Sequence, residues 1–170
     1  SGLIIGVFTV TGVGLKLSSA IIHFAGGSLM LLLVLAMLAS LILGMGVPTV
    51  AAYLILAILV APAVTGFGVL PMAAHMFVFY FGIISAITPP VALAAYVAAG
   101  IADDDPMQVG LEACRLALPV FIVPYIFVYQ PGLMMVGTLG DIVPVVITSR
   151  LGSFFCVVAV EGYIFCKLRI

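Results

Sequence analysis

The chain has 170 residues, of which 66% are hydrophobic and only 6% charged, and its mean hydropathy is +1.49. A soluble domain carries about 25% charged and about 45–50% apolar residues, and a globule of this size exposes too much surface to hide such a composition from water. Soluble enzymes, secreted disulfide domains and disordered regulators are thereby excluded, and five scattered Lys and Arg residues form no basic stripe for nucleic acid.

Between Lys16 and Asp103 there is no Lys, Arg, Asp or Glu; His23 and His75 are the only imidazoles. A signal peptide has one apolar core of about 7–15 residues, so this block predicts an all-α, polytopic membrane protein whose principal solvent is the lipid bilayer. The chain opens on Ser1 rather than Met and reads as a fragment or a processed piece. Cys114, Cys156 and Cys166 share no metal-ligand spacing; they read as small apolar residues, with neither a disulfide nor a zinc or iron centre.

Residues 3–24 predict one membrane segment, ending near Lys16–Ser19, and Gly26-Gly27-Ser28 breaks the chain after it. Leu29–Leu43 and Val50–Val64 are dense apolar runs on either side of Gly44-Met45-Gly46-Val47-Pro48-Thr49. As one helix, residues 29–64 would extend roughly 54 Å at 1.5 Å per residue, against a hydrocarbon core of about 30 Å. Each run alone reaches only roughly 22 Å. Two short arms meeting at a Gly-Pro tip predict a re-entrant helical hairpin, with its tip sheltered by protein or water because bare backbone cannot face lipid. Two mismatched spans joined by a tight turn are the alternative.

Residues 70–102 form a second interrupted segment: Leu70–Ile87 is apolar, Thr88-Pro89-Pro90 interrupts, and Val91–Ala102 resumes. Proline lacks an N–H and clashes with the carbonyl four residues back, and it pushes the residue before it out of helical geometry. The pair predicts a discontinuous transmembrane helix with freed carbonyls at Ser85 and Ala86; a merely kinked helix is the alternative. Asp103-Asp104-Asp105 is an aqueous loop, because it lacks the alternating ligand spacing of a calcium site. Asp105 as N-cap, Pro106 at the first helical position and Gln108 start a helix that runs to Tyr129, with Glu112 and Arg115 placed to pair. Tyr125 and Tyr129 suit an interfacial belt. Beyond it, Asp141–Thr148 reads as a short interfacial piece and Leu151–Cys166 as a last apolar segment between Arg150 and Lys167/Arg169, a symmetry that gives no orientation.

Catalysis would require a nucleophile with its base, a carboxylate pair or a metal cluster. The two histidines are far apart in sequence, and no carboxylate is near either, so no enzyme is predicted. What remains is oxygen chemistry where helices break. Hard cations take carbonyl and hydroxyl oxygens. Ser85, Ala86 and Thr88 offer these at one break; Gly44 and Thr49 offer them at the other, where Gly44 and Gly46 permit close backbone approach. Residues following each break start half-helices whose positive ends attract anions, and secondary transporters combine both devices. With no buried carboxylate to relay protons, Na⁺ is favoured as coupling ion, and no organic cofactor is called for. Pro48, Pro89, Pro90 and His75 complete the candidate set, His75 because a polar group in a membrane segment is a functional candidate by default. The competing reading is that these Ser, Thr, Gly and Pro residues serve helix packing.

Three stretches carry a family resemblance. Ala39–Thr49 (ASLILGMGVPT), Pro71–Tyr80 (PMAAHMFVFY) and Ile87–Tyr96 (ITPPVALAAY), in that order, closely resemble the large membrane subunit of tripartite ATP-independent periplasmic (TRAP) transporters, in the type where small and large membrane subunits are fused. The resemblance covers residues 1–132, the C-terminal part of the permease domain, and leaves 133–170 as a membrane or interfacial tail. It implies a multi-pass permease of a bacterial or archaeal inner membrane. It further implies Na⁺-driven symport of an organic acid delivered by a periplasmic binding protein, of the TAXI type for fused permeases. An elevator mechanism follows, with residues 29–64 as the second hairpin and 70–102 as the broken helix beside it. One Na⁺ site would then lie between Gly44–Thr49 and Ser85–Pro90. The first hairpin has no counterpart here, so the chain would hold half a site and depend on the remainder of the permease, including its small-subunit region. A structural or assembly subunit without a transport path is the alternative function.

Overall fold

A computed structural model describes residues 2–161. Among these, every regular element is helical: α1 (Gly2–Thr11), α2 (Val13–Ala25), α3 (Leu29–Gly44), α4 (Thr49–Leu59), α5 (Ala61–Gly66), α6 (Pro71–Ile84), α7 (Leu93–Ala102), α8 (Pro106–Leu116), α9 (Leu118–Tyr129) and α10 (Leu139–Glu161), with single 3₁₀ turns at Ser85–Ile87 and Pro131–Met134. The all-α fold, the helical hairpin and the discontinuous helix are as the sequence predicts. Two helices, Thr49–Gly66 and Leu139–Val160, are long and apolar enough to cross a membrane, and α8 with α9 makes a third candidate if that bent pair is one span.

The hairpin is α3 returning as α4 and α5. Ser28 caps α3, its hydroxyl accepting from Leu31 N at 3.4 Å. The returning arm, expected over Val50–Val64 and too short to cross, runs over Thr49–Gly66 and is long enough to do so; Val60 interrupts its regularity without turning the chain aside, its N–H still donating to Leu56 O at 2.9 Å. Pro62 withdraws the donor that Ile58 O would receive. There Gly14 of α2 comes close; a Cβ on it would sit 3.3 Å from Ile58 O. Ser18 Oγ donates to Leu59 O at 2.8 Å. Thus α2 seals the polar seam that the proline opens.

Helix α6 packs against both arms. Leu32, Leu33, Leu56, Leu59, Phe77 and Phe81 are fully buried where the three meet. From the other side α9 closes this core: Tyr125 packs edge-on against Phe77 at a 5.3 Å centroid distance, and Phe121 lies 5.9 Å from Phe81.

Four local expectations change. Residues 3–24 are two helices, not one, and the break falls at Gly12 rather than near Lys16: Gly12 adopts φ +65°, which glycine takes without a Cβ penalty, and Lys16 lies inside α2. The helix expected over 106–129 is bent by 43° between Leu116 and Leu118, because Pro119 removes an N–H and disfavours helical geometry at Leu118. Tyr125 faces inward, donating its hydroxyl to Met37 Sδ at 3.3 Å, and only Tyr129 keeps the exposure of an interfacial residue. The tail pieces 141–148 and 151–166 join in one helix, α10, as far as Glu161; residues 162–166, with Cys166, Lys167 and Arg169, lie outside the described residues. The Asp105 cap and the Glu112–Arg115 pair form as predicted, at 2.8 Å to Gln108 N and 3.0 Å respectively.

Candidate functional site

The hairpin tip turns within four residues. Helix α3 ends at Gly44, and Met45 is already extended. Gly46 takes φ +71°, a left-handed turn that a side chain would strain. Pro48, at φ −56° and ψ 143°, precedes the first helical residue of α4, Thr49, and its carbonyl accepts from Ala52 N at 2.9 Å.

The second break begins where α6 tightens into the 3₁₀ turn Ser85–Ile87. Pro89 and Pro90 follow, joined by a cis peptide bond, and Ala92 enters α7 at φ +29° while fully buried. A non-glycine residue with φ in this range is strained and persists only where its surroundings hold it. Tyr96 OH donates to Pro90 O at 2.6 Å. Gly110 of α8 comes close enough that a Cβ would lie 3.3 Å from Pro89 Cγ and 3.6 Å from Ala92 Cβ.

The two breaks meet. A Cβ on Gly44 would fall 2.6 Å from Ser85 Oγ and 3.0 Å from Gly82 O, and one on Gly46 would fall 3.5 Å from Val91 Cγ1. Gly44, Ser85 and Gly82 are buried, Ala86 and Thr88 half-buried, and Gly46, Pro48, Thr49 and Pro90 exposed. Two half-helices, α4 and α7, therefore start beside the junction, each presenting unpaired N–H groups at its positive end.

The oxygens divide into engaged and open ones. Ser85 Oγ donates to Gly82 O at 2.6 Å, and Thr88 Oγ1 to Ile84 O at 2.9 Å. Each hydroxyl oxygen keeps lone pairs after donating. The carbonyls of Ser85 and Gly44, expected free, each accept a long bond: from Thr88 N at 3.3 Å and Val47 N at 3.4 Å. A tightened 3₁₀-type turn resatisfies them, as commonly happens at helix ends. The Ala86 carbonyl gets no such repair, because both residues that could reach it, Pro89 and Pro90, lack an N–H.

Ser40 is a further candidate that the sequence alone does not single out. It lies one turn before Gly44 on the same stripe of α3, is fully buried, and its hydroxyl has no hydrogen-bond partner. A buried polar atom without a partner is costly. The signal was there: the i, i+4 spacing of Ser40 and Gly44 places both on one helix face.

His75 is not brought to this junction. It sits ten residues before Ser85, roughly 15 Å of helix rise away, where its Nδ1 lies 3.2 Å from Tyr53 OH and ties α6 to the returning arm. His23 is exposed on the last turn of α2 against Phe24. Among the described residues no group of three or more His, Cys, Asp or Glu could hold a metal ion. The junction thus sets Gly44 against Ser85 and Gly82 inside the block that holds no Lys, Arg, Asp or Glu between Lys16 and Asp103.

No curated protein and no solved structure matches the chain. Residues 1–142 match the family described as "Tripartite ATP-independent periplasmic transporter, DctM component". With most of its length inside that match and its helices built for lipid, the chain belongs to this family of membrane transport proteins.

Proposed function

We propose that the chain is the C-terminal part of a permease of the fused small-plus-large type. It would import an organic acid handed over by a periplasmic binding protein, of the TAXI type, and couple import to Na⁺ in a bacterial or archaeal inner membrane. The approach of Gly44 to Ser85 and Gly82 carries this reading, because it gathers two helix breaks into one oxygen-lined junction. Ser40, Gly44, Gly46, Thr49, Ser85, Ala86 and Thr88 supply the oxygens for a Na⁺ site, in keeping with the preference of hard cations for such ligands. The buried hydroxyl of Ser40, which has no hydrogen-bond partner, and the carbonyl of Ala86, which two prolines leave without a donor, support this reading. The starts of α4 and α7, marked by Pro48 and by Pro89-Pro90, favour a carboxylate nearby. His75 serves as a clasp between α4 and α6 rather than as a ligand. In this reading residues 1–132 hold one half of an elevator's transport unit, residues 133–170 its tail, and the remaining permease completes the site.

The test uses the complete transporter with its binding protein in proteoliposomes. Uptake of the carboxylate is expected only with an inward Na⁺ gradient; equal uptake after replacing Na⁺ with K⁺ ends the coupling proposal. Thr88→Val keeps the side-chain volume and removes one oxygen. It is expected to raise the Na⁺ concentration for half-maximal uptake about tenfold, in line with the loss of one polar contact to a charge, while leaving membrane insertion intact. An unchanged Na⁺ titration removes Thr88 from the site.

A further inference from the structure

Arg150 stands in the wrong place for a solvated charge. It is the twelfth residue of the membrane-length segment Leu139–Val160, so it lies roughly 15–17 Å along the helix from either end. Two contacts set the register of α10 against α8 and the turn after α9. Near the start of α10, the turn after α9 packs closely, since a Cβ on Gly132 would sit 3.3 Å from Asp141 O. Near its end, Arg115 Nη2 donates to Val160 O at 3.1 Å. Between these clamps α10 runs alongside α9, and Ser149 and Ser153 face Ile122 and Ile126 across a cavity of about 130 Å³. Arg150 is therefore level with the middle of the apolar helix α9.

Among the described residues its surroundings offer no counter-charge. Arg150 is exposed, and so are the apolar side chains Ile147, Leu151 and Phe154 next to it. The one ion pair among the described residues is Glu112–Arg115. All six carboxylates of the chain, Asp103, Asp104, Asp105, Glu112, Asp141 and Glu161, lie in the loop before α8, on α8, or at the ends of α10, so a second copy of the chain brings none to the level of Arg150. An arginine held at membrane depth normally faces the interior of a bundle and pairs.

We infer that the Arg150 face of α10 is a helix–helix interface, and that its partner is a transmembrane helix of the same transporter carrying an Asp or Glu at the depth of Arg150. Charge complementarity picks the partner. A lipid phosphate is too distant, because the guanidinium would have to cross half the apolar layer, further than an arginine side chain extends. A purely apolar partner would leave the cation unpaired in a dry contact. The inference needs only the membrane location of α10 and not the Na⁺ site, so the two readings fail separately.

The experiment uses the complete transporter in native membranes. A benzophenone amino acid is placed at Ile147 or Phe154, about one turn before and after Arg150, and the photoproduct is mapped by mass spectrometry. The expected product is a peptide from another membrane segment with Asp or Glu inside its apolar run. Arg150→Glu is expected to lower uptake at least tenfold, Arg150→Lys much less, and exchange of the mapped carboxylate for Arg is expected to restore the Arg150→Glu protein to at least half of wild-type uptake. If Arg150→Glu fails to accumulate, recovery of its membrane level by the same exchange is the equivalent result. Photoproducts with phospholipid only, a mapped segment without a carboxylate, or an exchange that restores neither uptake nor level would each overturn the inference.

Discussion

Gly44→Ala is expected to abolish uptake and to destabilise the protein by about 2–3 kcal/mol, the upper part of the range for overpacking a close contact. The new methyl carbon would fall 2.6 Å from Ser85 Oγ, 3.0 Å from Gly82 O and 3.2 Å from Gly82 Cα. Two of those three atoms are backbone and cannot swing away, so α3 and α6 must part, and the hairpin tip leaves the second break. Removing the Ser85 hydroxyl as well relieves only the nearest contact, so the double variant with Ser85→Ala stays impaired. Gly100→Ala is the matched control, because a Cβ there meets nothing within 4 Å and alanine favours the helix. Thermal unfolding of the purified transporter and uptake in proteoliposomes are the measurements. A Gly44→Ala protein with wild-type melting and uptake would show that the tip does not rest on α6.

The second large effect is on the core. Phe81 is fully buried on α6, with ring centroids 4.9 Å from Phe77, 5.9 Å from Phe121 and 6.1 Å from Tyr125. Among apolar helices in lipid, close packing holds neighbours together, and a missing ring leaves a void whose walls lose contact partners. Phe81→Ala is expected to cost about 3 kcal/mol, at the lower end for a buried phenylalanine, and to loosen α9, which reaches the core through Phe121 and Tyr125. Phe155→Ala, on the exposed face of α10, is expected to change stability by less than about 0.5 kcal/mol. Denaturant titration in detergent distinguishes the two, and equal midpoints for both variants would remove the aromatic cluster from the stability argument.

The hairpin and the proline-broken helix were legible because each breaks a rule over a whole segment. Residues 29–64 are too long for one span, and Pro89-Pro90 denies two successive N–H groups to the preceding turn. The bend before Pro119 was not legible, although the physics is the same. A single proline in an apolar run is compatible with a continuing helix, and whether the chain bends depends on neighbours that the local sequence does not show. Gly12 was one glycine among several, and only its backbone angle marks it as the break. Tyr125 followed a sound rule for aromatic residues near interfaces and failed because the phase of α9, after its bend, turns that ring onto Phe77. At the junction, Pro89 visibly deprives Ser85 O of one donor, but the 3₁₀ turn that lets Thr88 N replace it at 3.3 Å is not written in the local sequence. Ser40 shares a helix face with Gly44, which the spacing gives, but that its hydroxyl is buried without a partner is seen only in the packed structure.

The seat of α6 between the two arms has a mechanical consequence. Gly44 rests on Ser85 and Gly82 from one side, while the other side of Gly82 would place a Cβ 2.9 Å from Leu56 Cδ1 of the returning arm. Peeling back either arm would therefore strip a different flank of the same short stretch of α6 and uncover Phe77 or Phe81 with it. Displacing the hairpin intact, with α6 carried along like a keystone in its arch, disrupts fewer packed contacts than opening it at the tip.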